Sequence, residues 1–172
     1  MSTLKPPVSA NDHIVGLENA PVTIVEFGDY QCRYCGDAFP IIKEIQDAFG
    51  DQIRLVFRHF PMRQAHEMAV PAAIVAEAAA MQGKFWEMHD AIYDNQYRLE
   101  DALFNELAEQ LGLDLQQFQQ DRISKSVIEK IENDFDSGVR SGVNGTPSFY
   151  VNGTKFDGGA TDLHQMLKES TS

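Results

Sequence analysis

The stretch Glu26–Phe39, EFGDYQCRYCGDAF, holds the only two cysteines of the 172-residue chain, Cys32 and Cys35. Two thiols three positions apart admit two readings: half of a metal site, or a disulfide that opens and closes. One pair cannot serve as a disulfide scaffold for a domain of this length, so a purely structural role is disfavoured. The flanking residues say where the pair sits. Upstream, Val22, Thr23, Ile24, Val25 and Phe27 form a nearly continuous β-branched and aromatic run. That pattern predicts a strand buried on both faces. Downstream, Phe39, Ile42, Ile45 and Phe49 recur at helical spacing, with Pro40 as a kink and Gly50 as the C-terminal cap. The cysteines therefore fall at a strand-to-helix junction. QIRLVFRHFP then returns to strand, with Ile53, Leu55 and Phe57 on one face. Strand, helix, strand is a βαβ unit, almost always right-handed.

The rest of the chain extends this frame. Residues 1–12 read as a loose polar leader, followed by a short extended piece at His13–Val15. From Gln64 to about Arg140 the pattern is helical, beginning with an alanine-rich segment that contains Pro71. Asp114 caps a short turn, Ser126 with Glu129 forms a capping-box pattern, and Ile128, Ile131, Phe135 and Val139 make an apolar face. SFYV and TKF then flank Asn152-Gly153, a strong hairpin signal, before a last helix. The order is β-α-β, a block of helices, then β-β-α. We expect residues 13–62 and 141–172 to form one discontinuous domain and residues 63–140 an all-helical insertion.

Composition narrows the function. A net charge of −12 and a pI near 4.7 disfavour nucleic acid and anionic membranes as partners. No apolar run is long enough to span a bilayer, so membrane insertion is not expected. MSTLKPPVSANDH has no apolar segment behind a basic end. The expectation is a cytoplasmic monomer, with a periplasmic or secreted protein as the alternative if a leader has been removed.

Three features carry chemistry. Cys32 opens the helix, where unpaired backbone N–H groups and the helix dipole favour thiolate over thiol. Arg33, between the two cysteines, reads either as a cation tuning the thiolate or as a solvated surface residue, and Cys35 lies one turn inside. Glu26 stands in the middle of the apolar strand, where a carboxylate is costly without a role or a partner. It reads either as a strand-end residue reaching water or as a proton acceptor for Cys35 with a raised pKa. Thr146-Pro147 lies between a turn and a strand, where a proline is tolerated.

Together these residues resemble the thioredoxin superfamily, specifically its DsbA-like branch. EFGDYQCRYC matches that family's strand, buried acid and CxxC, and NGTPSFYVNG its cis-proline loop and hairpin. FRHFP, Ala76–Tyr93 and LAEQLGLD resemble its helical insertion, so the likeness runs from about Val22 to Leu167. The resemblance implies an α/β thioredoxin fold with an inserted all-helical domain. It implies a thiol-disulfide oxidoreductase acting on protein thiols, with no cofactor and an unidentified redox partner. Cys32 would be the nucleophile, Cys35 the resolving thiol and Pro147 cis against the disulfide. Thr146 would offer its backbone to an extended substrate, beside Arg33 and Tyr34. The Arg-Tyr dipeptide departs from the Pro-His and Gly-Pro of well-known relatives, which leaves the direction of electron flow open. Between the thioredoxin and DsbA values, the Cys32 pKa is expected at roughly 5–6.5.

The alternatives weigh less. Cys32 and Cys35 with two of His59, His66 and His89 would make a Cys₂His₂ zinc site, but no finger spacing follows the CxxC. His59 reads instead as a hydrogen-bonded strand-end residue. His89, Trp86, Phe85 and Tyr93 read as insertion core. The main functional alternative is a non-enzymatic redox sensor or binding module using the same CxxC as a switch.

Overall fold

The computed structural model describes residues 2–171. Five strands form one sheet: β1 His13–Gly16, β2 Val22–Gly28, β3 Ile53–His59, β4 Ser148–Val151 and β5 Thr154–Phe156, in spatial order β1-β3-β2-β4-β5. β2 runs parallel to β3 and antiparallel to β4. Its central place explains why its sequence is apolar on both faces. Ile24 packs with Leu55 and Phe149 under α1 Arg33–Phe49 and α7 Ala160–Thr171, through Ala38, Ile42, Ile45, Leu163 and Leu167. Val25 and Phe27 point the other way and pack with Val56, Phe60 and Tyr150 beneath Phe135 of α6 Lys125–Ser141. The hairpin turns at Asn152 and Gly153, both at positive φ, as Asn-Gly predicts.

Between β3 and α6 lie α2 Ala69–Ala80, α3 Phe85–Asp94, α4 Asp101–Gln110 and α5 Leu115–Asp121. α2 is enclosed, with Ala72, Val75, Ala76, Ala78 and Ala79 fully buried. Its alanines leave little side chain between it and the helices around it. The result is an α/β sheet with a block of helices inserted before its last hairpin.

Three local expectations are corrected. First, α6 is capped by Ser124, whose Oγ accepts from the Val127 N–H at 3.4 Å. Ser126 already lies inside the helix. Second, the buried face of α6 follows the apolar stripe only in part: Ile131 is buried and Phe135 packs on the core, but the face is completed by polar and small residues. Val139 is 56% exposed, while Val127, Ile131, Asp134, Ser137 and Gly138 face inward. The polar members are used: Asp134 accepts the His59 backbone N–H at 3.0 Å and pairs with Lys130 at 2.6 Å. Gly138 lets the helix approach, since a Cβ there would meet the Phe60 ring at 2.4 Å.

Third, the leader is not loose. Buried Arg58 binds Asp12 through Nε at 2.8 Å and a second nitrogen at 2.9 Å. It also donates to the carbonyls of Pro6 and Pro7 and to Ser137 Oγ. Lys5 N–H donates to Ser141 Oγ at 2.8 Å, and Leu4 is buried. The leader is thereby fastened across β3 and α6.

Candidate active site

β2 delivers the chain to Asp29, and Asp29 shapes the turn into α1. Its buried carboxylate accepts four N–H donors. One oxygen takes the amides of Gln31 at 2.8 Å and Cys32 at 3.2 Å. The other takes the Met62 amide at 2.9 Å and stands 2.7 Å from His66 Nδ1. Cys32 follows as the residue before the helix, with extended backbone and no side-chain cap bond. Its carbonyl accepts the first helical bond from the Gly36 amide at 3.0 Å.

Cys32 and Cys35 are free thiols standing 3.8 Å apart. Both are buried, Cys32 keeping 5% of its surface and Cys35 none, so Cys32 is more sheltered than a helix start suggests. Their environments push them in opposite directions. The Cys35 thiol hydrogen-bonds Cys32 and is the largest influence holding the Cys32 pKa down, to about 5, against the opposing effect of burial. The Thr146 side chain and the backbone of Cys35 and Tyr34 add to it. Burial, first of all, pushes Cys35 well above the ordinary thiol range, helped by its bond to Cys32 and the nearby Glu26 charge. Those hydrogen bonds lead the depression of Cys32, whereas the Arg33 guanidinium sits 6.0 Å over the exposed Tyr34 ring.

The Thr146-Pro147 peptide is cis, and the Thr146 carbonyl oxygen stands 3.6 Å from the Cys32 sulfur. The loop before β4 therefore lies against the nucleophile. Lys5-Pro6 is also cis, which nothing in the sequence announces.

Glu26 is buried for a reason visible in the register. It stands opposite Phe57 on β3 and Phe149 on β4, both without exposed surface. Burial, with the Cys32 charge second, pushes its pKa up to about 8. It therefore holds a proton near neutrality, within electrostatic reach of both cysteines.

The histidines are engaged elsewhere. His59 and His13 both reach one oxygen of Glu77 at 2.7 Å, and His89 Nδ1 meets Tyr30 Oη at 2.8 Å. Among the described residues no group of three His, Cys, Asp or Glu could hold a metal. Phe85 and Tyr93 are buried in the same cluster as the cysteines, with Trp86 packed against it. Two site residues escape sequence reasoning. Asp29 carries a weak signal, an Asp shortly before a helix, which is a common capping choice. Gln96 carries none: it comes from the turn after α3 and reaches the backbone of the CxxC segment.

The depressed thiol carries a stability consequence. The Cys32 value lies below that of an unfolded thiol, so the reduced fold gains stability fully present above about pH 8.5, the unfolded pKa. The gain fades as pH falls through about 5. The disulfide form has no such thiolate. Reduced protein is expected to melt higher than oxidised protein at neutral pH, with the gap closing between pH 8 and 5. Calorimetry of both forms across that range checks it, and a gap independent of pH contradicts it.

A family model described as Thioredoxin matches residues 9–169. Over 147 residues, 86% of this chain, the sequence is 44% identical to a segment making up 22% of the Na(+)/H(+) antiporter NhaA 1 of Salinispora arenicola. The chain thus spans about a quarter or less of the curated relatives it matches. No helix among the described residues is long and apolar enough to cross a membrane. A thioredoxin-like oxidoreductase from Silicibacter pomeroyi is 30% identical, with a TM-score of 0.77, covering 95% of this chain and 94% of that one. The thiol-disulfide exchange protein alpha-DsbA2 of Wolbachia pipientis is 25% identical, with a TM-score of 0.82, over 94% of this chain and 86% of its own.

Proposed function

The chain belongs to the thioredoxin family, in its DsbA-like branch, and on that footing we propose that it exchanges disulfides with protein thiols through Cys32 and Cys35. One observation carries the reading: two free thiols stand 3.8 Å apart where β2 meets α1, in surroundings that favour thiolate at Cys32 and thiol at Cys35. The Cys32 thiolate attacks one sulfur of a substrate disulfide. The substrate's S–S bond breaks, a Cys32–substrate bond forms, and the leaving substrate sulfur departs as a thiolate. Cys35 then loses its proton and attacks Cys32. The second substrate sulfur leaves, and the Cys32–Cys35 disulfide remains. The substrate gains two electrons and the protein loses two. Run backward, the same steps oxidise a substrate dithiol.

The ionised fraction of Glu26, a minority near neutrality, is the acceptor for the Cys35 proton. With a pKa near 8 Glu26 exchanges protons at working pH, unlike an ordinary carboxylate. Thr146, whose carbonyl lies against Cys32, would pair with an extended substrate segment, and exposed Tyr34 with Arg33 would meet its side chains. Antiport belongs to relatives of which this chain matches a small part and is not carried over.

Catalytic reduction of insulin by sub-stoichiometric protein, with a small dithiol as electron source, tests the proposal. Many turnovers per molecule are expected. One equivalent consumed without turnover would favour a redox switch instead.

Glu26→Gln separates the roles of that residue. Holding a proton to about pH 8 while the unfolded chain ionises near 4.3 means that Glu26 costs stability increasingly as pH rises between those values. Glu26→Gln should therefore stabilise the fold at pH 7, by on the order of 1–3 kcal/mol. It should also slow the resolving step about tenfold or more, in keeping with general acid–base catalysis. Denaturant melts with stopped-flow kinetics read both. Greater stability with undiminished rates would remove Glu26 from the mechanism.

A further inference from the structure

Gln96 makes an unusual contact for a residue in a short turn of the helical insertion. Its Nε2 donates to two main-chain carbonyls of the CxxC segment, Tyr30 at 2.9 Å and Cys32 at 2.7 Å. Both N–H bonds of the amide are thereby used, 66 and 64 residues along the chain from their acceptors. Its Oε1 lies close over Gly36 in the first turn of α1. A Cβ built on Gly36 would stand 2.0 Å from Oε1 and 2.8 Å from Cδ. Gly36 has no other evident reason to be glycine, because its φ is not positive. Helix interiors disfavour the residue relative to alanine. Glycine here makes room for the amide of Gln96.

The geometry constrains the nucleophile. The Cys32 carbonyl accepts both from Gln96 and from the Gly36 amide at 3.0 Å. Held from both sides, that peptide is fixed at the start of α1, whose Tyr34 and Cys35 amides help to hold the Cys32 thiolate. Gln96 is half-buried and the adjacent Tyr97 is 82% exposed, so the turn lies at the edge of the protein surface.

We infer that Gln96 is a positioning residue for disulfide exchange: a clamp from the helical insertion, accommodated by Gly36, that fixes the backbone of Cys32 so that its sulfur faces the α1 amides. The inference rests on the exchange reading above and adds to it a dependence of the thiolate on the insertion. Without the clamp the peptide relaxes, amide bonds to the sulfur lengthen, and thiol gains on thiolate.

The test is an ultraviolet titration of the Cys32 thiolate in reduced full-length protein, comparing wild type with Gln96→Ala, Gly36→Ala and the double variant. Gln96→Ala should raise the midpoint by about one unit, a tenfold loss of thiolate preference. Gly36→Ala should move it the same way, because the added methyl displaces the amide while the alanine favours the helix. The double variant should shift no further than the larger single shift, since both changes release one clamp. Folded variants with an unmoved midpoint would overturn the inference, as would single shifts that simply add. If Gln96→Ala does not fold, Gly36→Ala alone decides. A wild-type midpoint in the ordinary thiol range would instead sink the exchange reading itself. A low wild-type midpoint unmoved by the variants would sink only the clamp.

Discussion

Cys35→Ser should convert the protein into a trap, and Cys32→Ser should make it inert. In Cys35→Ser the attacking thiolate remains, so substrate becomes joined to Cys32 and nothing releases it. In Cys32→Ser the remaining sulfur is Cys35, which has no exposed surface and is held well above the usual thiol range by burial. Turnover of a protein disulfide should fall by roughly three orders of magnitude or more in either variant, the scale expected when a covalent nucleophile or its partner is removed. Only Cys35→Ser should accumulate mixed disulfides on non-reducing gels. Accumulation in Cys32→Ser instead would reverse the two roles. Because the Cys35 thiol is also the largest influence lowering the Cys32 pKa, Cys35→Ala, which has no donor, should attack more slowly below neutrality than Cys35→Ser, whose hydroxyl still donates.

Arg58→Met should be strongly destabilising. It leaves the Asp12 carboxylate, 5% exposed at its side chain, without its bidentate partner, and the carbonyls of Pro6 and Pro7 without a donor. Breaking a buried ion pair from one side costs about 3–5 kcal/mol. Burial alone would raise the Asp12 pKa, and Arg58 reverses this to hold it below the usual carboxylate value. The pair's contribution is therefore present above about pH 4, the unfolded carboxyl pKa, and lost as pH falls through the lower folded value. The deficit of Arg58→Met should shrink in acid. Adding Asp12→Leu removes the stranded charge and should recover much of the loss at pH 7. Urea melts of the three variants measure this. A deficit under about 1 kcal/mol in Arg58→Met would mean that the leader is held by packing alone.

These two predictions mark what was legible in the sequence and what was not. The strand-to-helix junction that holds the cysteines is legible because two periods meet there, the apolar run through Phe27 and the helical repeat from Phe39. Glu26 could be singled out because a strand so apolar on both sides leaves a carboxylate nowhere to go, and the register opposite Phe57 and Phe149 bears this out. The hairpin at Asn152-Gly153 and the cap at Asp114 were equally local. What depended on distant partners was hidden. Arg58 looks like a charge at a strand end, yet its partners lie 46 and 79 residues away. The apolar stripe on α6 misled in part because Asp134 and Ser137 are buried by partners on β3, and burial of a polar residue cannot be foreseen before those partners are known. Gln96 is an ordinary surface residue by composition, and only the fold brings its amide to the Cys32 carbonyl. The low Cys32 pKa was anticipated from the helix start and Arg33, but its first cause is the neighbouring thiol.

The central claim is that Cys32 stands as a thiolate at neutral pH, ready to attack. Its most direct test is the thiolate absorbance of the reduced protein titrated from acid to alkali, with Cys32→Ser as the blank. The structure predicts a transition centred near 5 that vanishes in Cys32→Ser. A single transition at about 8 or above, the range of an unperturbed thiol, would contradict it.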